Sequence, residues 1–592
     1  MAIVAGGKPQ VRLVVGPQCS RPSRFAADEL QRYLREISGA TCPIAEGGGG
    51  DGVIAVGPPA ENPATARLLK QAGVDLAALD LGDDGFVLRT VGSSVVVAGA
   101  TGRATLYGAY ALLERLGCRW CFPGKHGEVI PKLSTVALPL LDVVERPAFS
   151  YRTFMHHAAA SEETADWIDW MAKNRMNRFL ATLYVAKGYK GQLYSEFRRT
   201  PGLLDAFAKR GMHIEAGHHA SYFWTPPAEF YATKPEFFAE VDGKRGPVAI
   251  KGPRAQLCFS NAELAKVTAE RIVAFCRANP EADIVSIYTN DGYGYCECAA
   301  CKAIGSKTDA YITYVNRVAE AVHKALPGKR LSFLSYSHVS APPTARVFGA
   351  NTLCAIATWP PPDVKRLEGW LGSGVGQVAL YEYYMGSYSD RSIPWVAPKA
   401  IADELKTIHR LGLAGVASQG ELRSWGSYGL NYWVFARMIW DPTQSVEAVL
   451  ADYFAHYYVE AAAPMRAYYA FLEGLGRLSR DLNVPEAKIE KLDELLKAGE
   501  QAVASDALRT RVGRDRIALD YLKLAWATKN GGRQAAALLQ QGKAKEAEAA
   551  FRRAIDAGKA CLAHLHRHAD DRVFLMGRAD KPHERVGYFY TT

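Results

Sequence analysis

The chain has no long hydrophobic run. None of its apolar stretches approaches the ~18 residues that a membrane-spanning helix needs, which excludes an integral membrane protein. It also has no low-complexity segment and no fixed-period repeat, so collagen and coiled coil are excluded. Its first residues lack the charged and apolar regions of a signal peptide. We therefore expect a cytoplasmic protein, or a secreted or periplasmic one if a leader has been removed.

The chain also lacks a large excess of one charge. It has 71 Lys and Arg against 61 Asp and Glu in 592 residues, a net charge of +10. Basic side chains are dispersed except in the last helical stretch, where they are typical of a solvated helix face. We expect neither a nucleic-acid nor a membrane partner, and the sequence does not indicate an oligomeric state.

Aromatic residues, by contrast, are plentiful: 29 Tyr and 11 Trp, with 10% aromatic residues overall. Their flat amphipathic rings suit sugar binding, although most must pack in the core. The hydrophobic fraction of 48% is that of an ordinary globular chain. Composition therefore predicts a folded multidomain protein whose surface can bind carbohydrate.

Residues 1–145 predict a small α/β domain. Strand patterns surround an amphipathic helix that ends at Gly39 and a second helix near residue 110. A turn-rich loop follows, and a new pattern starts near residue 146. Residues 443–592 carry apolar stripes of helical period, which predict a C-terminal α-helical domain.

Residues 146–442 alternate short apolar strands with amphipathic helices. Eight such strands predict a (β/α)8 TIM-like barrel, giving an α/β fold with a domain on either side. A doubly wound sheet is the alternative, but no Gly-rich phosphate turn follows the first strand. The segment 222–253 is too long for a turn and predicts a lid after the third strand. The strands read SYRTFMHH, RFLATLYV, HIEAGHH, DIVSIYTND, RLSFLSYS, TLCAIATW, QVALYEYY and GVASQGEL.

Active residues of such barrels lie at the C-terminal strand ends. Acidic residues follow the fourth, seventh and eighth strands, and carboxyl pairs are what glycoside hydrolysis requires. We predict Asp291, Glu382 and Glu421 as the catalytic carboxylates. The predicted substrate-binding residues are His157, His218, His219, Asn290, Tyr336, His338, Trp359, Tyr383, Tyr384, Arg423 and Trp425.

The three acids receive different roles. Glu382 is flanked by Tyr381 and Tyr383, whose apolar rings would raise its pKa, so we predict it as the acid/base. Asp291 would orient a substrate acetamide or protonate the leaving oxygen, and these two assignments are interchangeable. Glu421 lies near Arg423, which favours its ionised form, so we predict a substrate-binding or charge-stabilising role.

Trp359, Tyr383, Tyr384 and Trp425 follow strand ends, where a sugar ring can stack on them. We predict that these four aromatic residues form a sugar platform at the barrel mouth. Packing beneath the loops is the alternative for each residue.

Eleven Cys is an odd number, so at least one is unpaired or binds a metal. Cys296, Cys298 and Cys301 lie in one loop with C-x-C-x₂-C spacing, and Cys258 is the natural fourth ligand. These four predict a closed structural zinc site, with a reduced or disulfide-bonded cluster as the alternative. No cofactor is expected for catalysis.

Several segments carry a family resemblance. ADELQRYLREISGA and TGRATLYGAYALLERLGCRWCFPG resemble the N-terminal domain of α-glucuronidases and family 20 hexosaminidases. DWMAKNRMNRF, EAGHHASYFW, LCFSNAEL and NDGYGYCECAACK resemble domain of unknown function 4838, which includes the endo-β-N-acetylglucosaminidases of glycoside hydrolase family 163. The resemblance covers about residues 10–450.

The resemblance implies a retaining glycosidase in which the substrate's 2-acetamido group is the internal nucleophile. Family 20 enzymes carry adjacent Asp-Glu after the fourth strand, whereas this chain has Asn290-Asp291. Glu382 or Glu421 would then supply the second carboxyl. An α-glucuronidase-like or other exo-glycosidase, with Arg254 or Arg423 binding a uronate, and a non-catalytic carbohydrate-binding protein remain the alternatives.

Overall fold

The computed structural model describes residues 1–155, 162–183, 194–247, 255–384, 393–420, 425–478 and 481–568. Within these ranges, no helix combines the length and apolar character needed to cross a membrane. The cysteines there include no disulfide pair.

The N-terminal region is built on a six-stranded sheet. Its strand order is β11-β6-β7-β5-β3-β4, with α1 and α3 on one face and α2 on the other. As predicted, α1 ends at Gly39, whose φ of 78° is the left-handed conformation that glycine adopts readily. The elements are β1 (Ala2–Ala5), β2 (Lys8–Pro9), β3 (Arg12–Val15), α1 (Arg21–Ser38), β4 (Ile44–Glu46), β5 (Val53–Val56), α2 (Pro63–Gln71), β6 (Phe86–Val91), β7 (Ser94–Gly99), α3 (Gly102–Arg115), β8 (Arg119–Trp120), β9 (Glu128–Val129), β10 (Val136–Ala137) and β11 (Asp142–Glu145).

A closed barrel of eight parallel strands follows, in the order β12-β13-β14-β17-β18-β19-β20-β21. All eight predicted strands form it, which confirms the (β/α)8 prediction. The elements are β12 (Tyr151–Met155), α4 (Glu162–Lys173), β13 (Arg178–Thr182), α5 (Tyr194–Arg199), α6 (Leu203–Ala208), β14 (His213–Gly217), α7 (Ser221–Trp224), α8 (Pro227–Phe230), β15 (Glu240–Val241), β16 (Lys244–Arg245), α9 (Ala262–Ala278), β17 (Ala282–Ser286), α10 (Ala299–Ile304), α11 (Lys307–Ala325), β18 (Arg330–Ser335), β19 (Thr352–Ala357), α12 (Val364–Gly372), β20 (Gln377–Glu382), α13 (Pro398–Arg410), β21 (Gly415–Gln419) and α14 (Trp425–Trp440).

The C-terminal region is helical, as the apolar stripes predicted. It consists of α15 (Val446–Tyr457), α16 (Ala462–Gly474), α17 (Glu486–Ala502), α18 (Asp506–Gln540) and α19 (Ala544–Arg567). The buried apolar residues of its first helices join one continuous core with the barrel helices and one face of the N-terminal sheet. These flanking regions therefore support the barrel from outside.

The barrel interior has its own buried cluster, which includes Tyr151, Met155, Tyr288 and Tyr381. Side chains of successive strand residues point alternately into the barrel and towards the helices. This alternation decides which residues near the strand ends can reach the mouth.

Candidate active site at the barrel mouth

Two histidines line the mouth directly after β14. His218 has φ of 76°, and its Nε2 lies 3.0 Å from the Tyr381 hydroxyl. His219 Nδ1 lies 2.6 Å from the backbone oxygen of Thr289. Since a carbonyl oxygen only accepts, Nδ1 of His219 carries the proton. Both predicted histidines are thus held in the mouth, His218 by β20 and His219 by the loop after β17.

Gly217, the last residue of β14, allows this arrangement. A Cβ there would lie 2.0 Å from the side chain of Ser286 on the adjacent strand. No larger residue fits without separating the two strands, because contacts this short are repulsive. The close approach of β14 and β17 brings the histidines beside the loop that carries Asp291.

Asp291 lies half-buried in the loop after β17. The Tyr336 hydroxyl, beyond the end of β18, donates a hydrogen bond of 3.3 Å to Asp291 Oδ1. These two predicted residues are therefore brought together. The left-handed glycine of this loop is Gly294, with φ of 80°.

Asn290 supports this loop from behind. Its side-chain amide donates to the Ala255 carbonyl oxygen at 2.8 Å. Its backbone N–H donates to Gln256 Oε1 at 2.9 Å, and Gln256 Nε2 donates back to the Asn290 carbonyl oxygen at 2.8 Å. Asn290 is buried by these contacts, which hold the backbone next to Asp291 and give Asn290 a positioning role.

Trp359 and Tyr383 form an aromatic platform. Their rings stack with centroids 4.9 Å apart and planes 15° apart. The Trp359 side chain is 39% exposed, which is unusually high for tryptophan. The ring centroids of Tyr383 and Tyr381 are 5.4 Å apart. Two of the four aromatic residues predicted for sugar stacking thus lie together at the mouth.

The other two predicted platform residues are buried elsewhere. Tyr384 is fully buried, and its hydroxyl donates to Glu404 Oε2 at 2.5 Å. Trp425 packs among Trp167, Trp170 and Tyr432. Neither ring offers a face to a sugar, because the helices around the barrel cover both.

His338 lies on the rim, exposed, between the rings of Tyr293 and Tyr295 at 5.6 Å from each. It extends the aromatic surface on the Asp291 side. His157, Glu421 and Arg423, and also Arg254, lie outside the described residues.

Glu382 does not join the mouth. Ala379 and Tyr381 of β20 belong to the interior cluster, so Glu382 points outward, where it is fully buried beside Glu404 of α13. Burial, together with the neighbouring Glu404, raises the pKa of Glu382 well above its usual value. The raised pKa of Glu382 agrees with the sequence prediction. Its cause, however, is a buried pair of carboxyl groups between β20 and α13, outside the barrel mouth.

This pair predicts a pH dependence of stability. Burial raises the pKa of Glu404 from 4.5 to about 7. Because the folded state holds the proton more tightly, the stability contributed by the pair is complete below about pH 4.5 and is lost as pH rises through 7. Glu404→Gln, which keeps the hydrogen bond to Tyr384, should lose less stability than wild type between these pH values.

Urea unfolding midpoints at several pH values measure this difference. The exposed Glu320→Gln on α11 is the matched control and should follow the wild-type profile. Parallel profiles for Glu404→Gln and wild type would show that the pair does not hold a proton.

Sequence reasoning missed the polar residues beneath the mouth. Glu215 is fully buried inside the barrel and accepts hydrogen bonds from Tyr151, Ser286 and Ser332 at 2.7, 3.0 and 2.5 Å. Tyr381 and Tyr288 lie in the same interior cluster. Counting alternate residues along each strand would have found these polar residues, because their side chains all point into the barrel.

The four cysteines predicted as metal ligands do lie together. Their Sγ atoms are all within 4.8 Å of one another, beside the loop that carries Asp291.

Family comparison identifies the central part of the chain. The profile described as Domain of unknown function (DUF4838) matches residues 122–470. The chain belongs to this family. The DUF4838 match spans the barrel and Asp291, while the profile of the Glycosyl hydrolase family 67 N-terminus matches residues 8–112. The resemblance to domain of unknown function 4838 and to the N-terminal domain of α-glucuronidases is confirmed.

One curated relative of the DUF4838 chain is a β-hexosaminidase from Porphyromonas gingivalis (strain ATCC BAA-308 / W83). It is 32% identical over 111 residues, which are 18% of this chain and 13% of that protein. The chain therefore matches only a small part of that relative's length.

Solved structures of glycoside hydrolases are similar to this chain in fold. A family GH115 4-O-methyl-α-glucuronidase has a TM-score of 0.71 at 14% identity over 99% of this chain and 80% of its own. A GH138 enzyme targeting pectin rhamnogalacturonan II has a TM-score of 0.55 at 11% identity over 98% and 95%. A family 89 glycoside hydrolase from Clostridium perfringens has a TM-score of 0.56 at 12% identity over 81% and 62%. At these identities the likeness shows the fold.

Proposed function

We propose that this DUF4838 protein is a glycoside hydrolase that cleaves a glycosidic bond next to an N-acetylhexosamine in a glycan. The observation that carries the proposal is Asp291, a half-buried carboxylate in the mouth of a (β/α)8 barrel, hydrogen-bonded to Tyr336. The family 67 N-terminal match and the glycoside hydrolases among its structural neighbours support the same class of reaction.

The sugar would lie against Trp359 with its acetamido group directed towards Asp291. In the first step, the acetamide oxygen attacks the anomeric carbon while a carboxyl group protonates the leaving oxygen. Water then opens the cyclic intermediate and returns its proton to that carboxylate. Asp291 either orients the acetamide N–H or provides the proton, and Glu421, two residues beyond β21, is proposed for the other role.

Product analysis tests the proposal. Glycoproteins with complex N-glycans, chromogenic N-acetylhexosaminides and aryl uronides are incubated with the protein, and released sugars are identified by mass spectrometry. We expect release from substrates that contain N-acetylhexosamine. Binding without turnover of any substrate would instead identify a carbohydrate-binding protein.

A uronate-specific glycosidase is the second candidate. The Arg477 guanidinium lies over the Trp359 ring, 4.8 Å from its centroid, and places a cation at the platform. An acidic sugar in contact with the exposed edge of Trp359 could pair with it. Preferential hydrolysis of uronides in the same panel, lost in Arg477→Gln, would favour this candidate.

Replacing the platform residues should weaken substrate binding more than turnover. We expect Trp359→Ala and Tyr383→Ala each to raise KM about 3- to 10-fold, the worth of one aromatic stacking contact, with a smaller change in kcat. Trp359→Phe keeps a ring and is the matched control. If neither alanine variant changes KM or kcat, the sugar does not bind at this platform.

A further inference from the structure

Four thiols are spaced like the ligands of one tetrahedrally coordinated metal ion; they belong to Cys258, Cys296, Cys298 and Cys301. Cys258 Sγ lies 3.8 Å from Sγ of both Cys298 and Cys301, and all four Sγ atoms lie within 4.8 Å of one another. Zinc–sulfur bonds of ~2.3 Å in a tetrahedron separate the sulfurs by about 3.8 Å. A disulfide would need ~2.05 Å, much shorter than these separations.

The polar surroundings suit negatively charged sulfur. The Glu240 backbone N–H donates to Cys296 Sγ at 3.3 Å, and the Ser260 hydroxyl lies 3.2 Å from Cys301 Sγ. The guanidinium of Arg245 lies beside Cys258 and Cys298. Four thiolates around a divalent cation carry a net charge of −2, which the Arg245 guanidinium and the Glu240 N–H partly offset.

The four ligands come from separate pieces of backbone. Cys258 lies just before α9, Cys296 and Cys298 lie in the loop after β17, and Cys301 lies on α10. The β15–β16 hairpin packs on the same cluster through Glu240 and Arg245. An ion at this point would therefore cross-link the loop that carries Asp291, and α10 after it, to the segment just before α9.

We propose that these four cysteines bind one structural Zn²⁺ ion per chain. Four protein ligands close the coordination sphere, so the ion has no position for a substrate and acts by fixing the loop. Three of the four thiols are buried, which limits exchange with solvent. The inference does not depend on the glycosidase proposal, since it rests on the sulfur geometry.

Elemental analysis of the full chain, purified without chelator, tests the site. We expect about one zinc per chain. The double variant Cys258→Ser/Cys298→Ser should lose nearly all of it, whereas Cys19→Ser, a half-buried cysteine of the N-terminal region, should keep it. Reconstitution with Co²⁺ should give the sulfur-to-cobalt charge-transfer absorption of a tetrahedral thiolate site.

Thiol titration of the wild-type protein gives a second measurement if the double variant does not fold. Four thiols should become reactive only after treatment with a strong chelator, and the thermal unfolding midpoint should fall together with zinc content. Folded wild-type protein without stoichiometric metal, a mononuclear iron in place of zinc, or zinc retained by the double variant would each overturn the proposal.

Discussion

Asp291→Asn should lower kcat at least ~10²-fold on any glycan that the wild-type protein cleaves, because a neutral amide cannot transfer the proton or accept the acetamide N–H as a carboxylate does. The amide keeps the size of the side chain and can still accept the hydrogen bond from Tyr336. Circular dichroism and the unfolding midpoint should therefore stay close to the wild-type values.

The dependence on leaving group separates the two roles of Asp291. If it protonates the leaving oxygen, aryl glycosides with acidic phenols should regain much of the lost rate, since they leave without a proton. If it orients the acetamide, both substrate classes should lose rate equally. The matched control is Asp242→Asn, because that side chain is exposed. Asp309→Asn is unsuitable as a control, because the Asp309 side chain caps α11. Near-normal turnover in Asp291→Asn would remove Asp291 from the active site.

Asp84→Asn should destabilise the protein by about 3–5 kcal/mol, the cost of breaking a buried ion pair from one side. Asp84 is 4% exposed and binds Arg103 and Arg152 at 2.6 Å each. Arg152 is fully buried on β12 and would keep its charge without this partner. The Asp84–Arg152 ion pair joins the N-terminal region to the barrel. Its loss should therefore lower the cooperativity of unfolding as well.

Urea unfolding measures the effect, with the exposed neighbour Asp83→Asn as the control, expected within about 0.5 kcal/mol of wild type. Burial alone would raise the pKa of Asp84, but Arg152 and Arg103 outweigh it and hold the pKa below its usual range. This stability is present above pH 3.8 and is lost as pH falls further, so wild type and variant should converge in acid. Equal stabilities at neutral pH would contradict this account.

The barrel could be predicted from the sequence because each strand is a short buried run bounded by turn residues and followed by an amphipathic helix. The cysteine cluster was equally accessible, since three of its thiols occupy one loop. Cys258, though distant along the chain, is the cysteine that the fold brings to that loop.

The site was predicted less completely, because the prediction used the position of each residue near a strand end and not the alternation of side chains between the barrel interior and the helices. Tyr381 points into the barrel, so its neighbour Glu382 must point towards α13, where Glu404 meets it. The burial of Tyr384 and Trp425 depends on helices that are far apart in the sequence, and no local pattern reveals such contacts. Asp291 and Trp359 lie in the mouth as predicted because they lie beyond the strand ends.

The most direct test of the central claim is a crystal structure of Asp291→Asn with the glycan that the wild-type protein cleaves. We predict a sugar in contact with the exposed part of Trp359, with its acetamide or glycosidic oxygen within about 3.2 Å of the residue 291 side chain. The opposite end of the barrel holds a cavity of about 760 Å³ lined by Arg103, Arg178 and Arg330. A glycan bound there, with the mouth empty, would contradict the account.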